Sequence, residues 1–136
     1  MAEKLEWKSE YSVNVKEIDE QHKQLFKIFN ELVGFLDIGL DQEKIKKIIS
    51  DIVNFKKEHF ATEEKYFHLF NFSGTAEHEQ RHRMFDDKIK EISGEYQDDV
   101  FGLGFALVDF LGDWLISHLM DMDQKYKECF NEHGLY

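Results

Sequence analysis

The chain has 136 residues, 42% of them hydrophobic and 15% aromatic, which suits one domain with a filled core. Its formal net charge of −11 argues against DNA or RNA as a partner, because binding a phosphate backbone relies on Lys and Arg displacing counterions. MAEKLEWKSE has no apolar leader, FGLGFALVDFLGDWLI holds two Asp, and Cys129 is alone, so we expect no signal peptide, no membrane span, no intrachain disulfide and a cytoplasmic setting.

Apolar residues recur at helical spacing in four stretches, and no comparable stretch alternates with period two, so the expected fold is all-α. Residues 1–17 read as an arm ahead of a bundle over 18–130, the whole chain forming one domain. The first helix carries the stripe Ile18, His22, Leu25, Phe29, Leu32, Leu36 and ends near Gly39. Asp41 is suited to N-cap a second, with the stripe Ile45, Ile48, Ile52, Phe55, His59, Thr62, Tyr66. FHLFNFSG, residues 67–74, breaks the period, after which Thr75 is placed to cap a third helix with the stripe His78, His82, Phe85, Ile89, Ile92, Tyr96. Asp98 and Asp99 suit the start of a fourth, where negative charge meets the positive end of the helix dipole. Its stripe is Leu103, Leu107, Leu111, Trp114, His118, Met122. Long helices with short connections predict an up-down-up-down antiparallel four-helix bundle.

Every stripe contains an inward His. His22 lies near the start of its helix, His59 late in the second, His78 and His82 early in the third, and His118 late in the fourth. Since antiparallel neighbours reverse direction, all five fall at one end of the bundle. One buried His is commonly an ordinary core residue; five sharing an interior need partners for their nitrogens, and metal supplies them. HEQRH, residues 78–82, satisfies the H-E-x-x-H pattern of a zinc protease helix, because two His at i and i+4 share a face. Phe85, however, stands where the longer zinc motif wants Gly, and Glu79 points about 100° away from His78.

Carboxylates extend the donor set. Glu63 follows His59 by one turn on nearly the same face. Asp123 follows His118 by five residues, a rotation of about 140° in an ideal helix, so both cannot face inward without a distortion. Three possibilities stand: a π-bulge brings Asp123 in, Asp121 is the ligand instead, or neither is. Glu64, Glu79 and Asp113 read as solvated helix surface. Such a donor set is too large for one tetrahedral zinc and indicates two metals, with imidazole and carboxylate suiting iron, manganese or zinc. On octahedral ions, five imidazoles, two bridging carboxylates and a bridging oxygen leave one position open.

IDEQHK with His22, HFATEE with His59 and Glu63, HEQRH with His78 and His82, and WLISHLMDMD with His118 and Asp123 together resemble the hemerythrin family, with Trp7 a further family-like residue in the arm. The resemblance implies a four-helix bundle around two non-haem iron ions with a bridging oxo or hydroxo group, binding O2 reversibly without consuming a substrate. It implies that His78, His82 and His118 hold one iron, that His22 and His59 hold the other, which keeps the vacancy, and that Glu63 and Asp123 bridge. It thereby favours Asp123 over Asp121 and makes the bulge an expectation. Leu25, Phe26, Phe55, Trp114, Leu115 and Leu119 are close enough in sequence to these ligands to wall an O2 pocket. Storage, delivery or buffering of O2 is the expected role. An O2-sensing module acting through a separate partner, or a di-iron oxidase or scavenger of nitric oxide or peroxide, are the rivals. Ferritin-type sites use two Glu-x-x-His pairs, and only EQRH qualifies here. His68 and His133 are expected to stand apart from the metals.

Overall fold

The computed structural model describes residues 3–136, so the first two residues of the arm lie outside the described residues. Four long helices form the body: α1 (Lys16–Ile38), α2 (Gln42–Leu69), α3 (Thr75–Glu95) and α4 (Val100–Ser117). A π-helical turn, His118–Met122, and a 3-10 turn, Asp123–Tyr126, continue α4 into α5 (Lys127–Glu132). Consecutive helices pack side by side and α4 returns to α1, closing a ring. The expected antiparallel four-helix bundle is what forms.

The predicted cap at Asp41 is present, and of the acidic pair at the start of α4 Asp99 supplies a cap as well. Asp41 Oδ1 accepts from the Lys44 amide at 2.9 Å, and Asp99 Oδ1 accepts from the Gly102 amide at 2.9 Å. Each fills one of the donors that a helix start leaves without an intrahelical partner. Gly39 closes α1 at φ 132°, a conformation that excludes most side chains. The third start differs from expectation. Gly74 occupies the cap position, and Thr75 is the first helical residue, its hydroxyl donating back to the Phe72 carbonyl. The break is also shorter than 67–74 suggested: α2 runs through Leu69, because Phe67 has a buried slot to fill one turn below Glu63.

Helix α1 begins two residues before its stripe, and the arm is bound to the bundle. Trp7 packs edge-on against Tyr11 and Phe26, while the Leu5 backbone and the Asn30 amide exchange two hydrogen bonds of 2.8 Å. Asp19 accepts from both the Ser12 hydroxyl and the Val13 amide, fixing the turn into α1. The apolar interior has two parts. A large cluster fills the length of the bundle, and a smaller one of Val13, Val15, Ile18, Phe67, Tyr126 and Phe130 closes one end.

One expectation needs qualifying. By length and composition, Val100–Glu132 is a helix that could cross a membrane. Its inner face packs in the bundle and carries His118 and Asp123, while Phe101, Phe105, Ile116 and Met120 are exposed outside.

A buried cluster of imidazoles and carboxylates

Between the two apolar clusters lie His22, His59, Glu63, His78, His82, His118 and Asp123, none more than 4% exposed. The four helices that were expected to deliver these side chains do bring them together. Glu63, His78, His82 and His118 form one group whose potential ligand atoms lie within 4.8 Å of one another, and His22, His59, Glu63 and Asp123 form a second. Glu63 belongs to both.

Distances define how the carboxylates sit. Glu63 Oε1 is 3.1 Å from His59 Nε2 and 3.0 Å from His82 Nε2, so it faces both imidazole sets. Asp123 divides its oxygens: Oδ2 lies 2.9 Å from His22 Nε2, while Oδ1 lies 3.0 Å from His78 Nε2 and 2.8 Å from His118 Nε2. The geometric conflict over Asp123 is resolved by the π-turn. The Asp123 amide bonds to the His118 carbonyl, five residues back, and this one-residue expansion turns the Asp123 side chain inward. Asp121 is exposed and lines a surface cleft with Arg81 and Ser117.

Charge is arranged to match. Burial pushes Glu63 toward neutrality, but the charge of His59 and the close approach of the His59, His78 and His82 imidazoles outweigh it and hold the carboxyl well below its ordinary range. Asp123 likewise stays ionised, since its contacts with His118 and His22 overcome burial and the nearby Glu63 charge. Burial acts against a charged His78 too, yet the close approach of the Asp123 and Glu63 carboxylates raises it to about 10. For His118 burial prevails and lowers the pKa.

Aromatic rings pack around the imidazoles. Phe55 stacks on His59 at 5.1 Å between centroids, Trp114 on His118 at 4.0 Å, and Phe67 tilts against His78 at 4.7 Å. Leu25, Phe26, Leu115 and Leu119 are buried in the same core, whereas Trp114 is half-buried.

Three neighbours were not anticipated. Phe60 lies flat on His82; it falls just outside the α2 stripe, next to His59. Gln21, adjacent to His22, accepts from His59 Nδ1 across 2.7 Å. Tyr126 is fully buried, its hydroxyl without a hydrogen-bond partner; burial and the charges of Asp123 and Glu63 hold the phenol well above its usual pKa. Its position three residues after Asp123 becomes readable only when the π-turn is known. Glu64 is less remote than expected, with Oε1 3.6 Å from His82 Nδ1. His68 pairs with Glu79 on the surface, and His133 stacks on Phe70, so both stand apart from the cluster. Glu79 Oε1 faces His68 on the surface rather than the buried cluster.

Comparison with known proteins agrees with this geometry. The family model described as hemerythrin HHE cation binding domain matches residues 13–130. A myohemerythrin of Riftia pachyptila is 31% identical over 89% of each chain. A hemerythrin-like protein of Naegleria gruberi is 30% identical, again over 89% of each, and a bacteriohemerythrin of Clostridium acetobutylicum is 30% identical over 88% of this chain and 96% of its own.

Proposed function

The chain belongs to the hemerythrin family, and from that premise we propose that its buried cluster holds two iron ions and binds O2 reversibly, for storage, delivery or buffering rather than for catalysis. One observation carries the reading. His118 Nε2 and Asp123 Oδ1 lie 2.8 Å apart and His78 Nε2 and Asp123 Oδ1 3.0 Å apart, yet none of these buried atoms forms a hydrogen bond. They belong to two groups whose potential ligand atoms lie within 4.8 Å of one another. Buried polar atoms left so are costly, and a cation in each group removes the cost.

His78, His82 and His118 would hold one ion, His22 and His59 the other, with Glu63 and Asp123 reaching both. This donor set of imidazole and carboxylate without thiolate suits iron. When bound, the iron pair supplies the electrons that make O2 binding strong and reversible. The chain's own contribution would be shape and dryness: Leu25, Phe26, Phe55, Leu115 and Leu119 in the core, with Trp114 against it, would supply apolar walls that keep water and protons from the site. Glu63 and Asp123 supply two negative charges that offset the metals inside a largely apolar end of the bundle.

The test is anaerobic reduction followed by air, with the visible spectrum recorded. A coloured form that appears with O2 and disappears on its removal supports carriage. Irreversible bleaching with release of peroxide would instead assign oxidase chemistry to the site.

A further inference from the structure

We propose that Gln21 is a positioning residue, the centre of a relay from the Glu58 carbonyl through Thr62 and Gln21 to His59 that fixes which nitrogen of His59 faces the metals. The inference rests on the metal-binding reading above and extends it beyond the ligands.

The relay has a direction, set at its outer end. A backbone carbonyl can only accept, so the Thr62 hydroxyl, 2.9 Å from the Glu58 carbonyl oxygen, must donate to it. With its proton so used, that hydroxyl has lone pairs left for Gln21, and the Gln21 Nε2 donates to it across 3.1 Å. The amide is thereby oriented, and its Oε1 faces His59 Nδ1 at 2.7 Å. An amide oxygen only accepts, so Nδ1 must carry a proton. In neutral His59 the lone pair is then confined to Nε2, the atom 3.1 Å from Glu63 Oε1 and 3.1 Å from His22 Nε2. Two imidazole nitrogens and a carboxylate oxygen would then be placed to hold a cation.

Burial makes the arrangement consequential. Gln21 is 6% exposed and His59 2%, so water offers little replacement for a lost partner. Gln21 also precedes His22 on α1 while His59 is on α2, so the same relay ties together the two helices that supply this pair of imidazoles. Partners behind a ligating His orient the ring and tune its basicity, and losing one costs about 10–100-fold in metal affinity.

The experiment uses iron-loaded protein with Gln21→Leu, Gln21→Glu and Thr62→Val, following chelator-driven release of each iron and the midpoint potential. Gln21→Leu should release one of the two irons about 10–100-fold faster while the other keeps its wild-type rate. Thr62→Val should weaken the same iron to a smaller degree, since it frees the amide to turn. Gln21→Glu keeps an acceptor, so it should restore retention and lower the potential, because a negative charge behind the imidazole favours the more oxidised metal. Parallel loss of both irons, unchanged release in Gln21→Leu, or equal lability of the Leu and Glu variants would overturn the relay. If the wild-type protein failed to bind iron or O2, the proposed function would fall by that result alone. The relay would still be read from the release of zinc by the same variants.

Discussion

Phe60 lies face to face with His82, ring centroids 3.8 Å apart and planes 7° from parallel. Phe60 also meets Phe85 edge-on at 5.4 Å, so it links the core of the bundle to an imidazole of the buried cluster. Phe60→Leu should lower stability by about 1–2 kcal/mol through lost stacking and packing. Urea unfolding measures this, and iron content should remain near wild type because Phe60 donates no ligand.

Asp123 and Asp121 are both near His118 in sequence but only Asp123 is buried among the imidazoles. Asp123→Ala should reduce iron per chain, while Asp121→Ala should leave it unchanged. The same contrast is expected between His59→Ala and His68→Ala, since His68 pairs with Glu79 on the surface. Metal analysis of purified protein decides both; equal loss within either pair would mean that the ligand set is misassigned.

Chelated, metal-free protein should be most stable near pH 6.5, the ordinary value for His. His78 is held up to about 10 when folded, so its contribution is complete below 6.5 and is lost as pH rises toward 10. His118 is pushed down by burial, so below 6.5 the unfolded chain gains the proton that the fold refuses, and stability declines. At still lower pH, protonation of Glu63 and Asp123, both held below their ordinary values, removes more. Thermal midpoints across pH should trace this peak, and a midpoint rising steadily from 6.5 to 10 would contradict the His78 assignment. In the iron-loaded protein, acid should also release metal, because protonated imidazole cannot coordinate.

Two glycines of α4 should respond in opposite ways to alanine. A Cβ at Gly112 would meet Phe29 at an ordinary 3.5 Å, so Gly112→Ala should stabilise by up to about 1 kcal/mol through helix propensity. At Gly104 the Cβ would come 2.6 Å from Leu40, in the connection after α1, and 3.1 Å from Leu36 of α1. Gly104→Ala should be destabilising by about 1 kcal/mol, as overpacking exceeds the propensity gain. Thermal or urea unfolding of the pair checks the sign of each.

The bundle was legible because its periodicity is strong: the buried Ile48, Ile52, Phe85, Leu107 and Leu111 all fall on the expected stripes. The imidazoles were legible for the same reason, since an inward His at each stripe marks a common depth. Three kinds of feature were not. The start of α3 lacks a side-chain cap, so the Thr75 signal was off by one position. Gln21 depends on a contact between α1 and α2 that no single-helix pattern records. Asn, Ser and Gly after Phe67 predict a break there, whereas the burial available in the closing cluster extends α2 past it.

The extra residue in the turn after Ser117 has an effect beyond Asp123. A helix has a reading frame, about 100° per residue, and one inserted residue shifts every later position by that angle. In an unbroken helix Asp123, Tyr126 and Phe130 would sit about 120°, 60° and 100° round from Leu111; after the shift all three face inward and are fully buried. The distortion that delivers a carboxylate therefore also seats the plug that closes this end of the barrel of helices. Removing a single residue from 119–122 would restore the frame and undo both at once, exposing two large aromatic rings and withdrawing a carboxylate from the buried cluster.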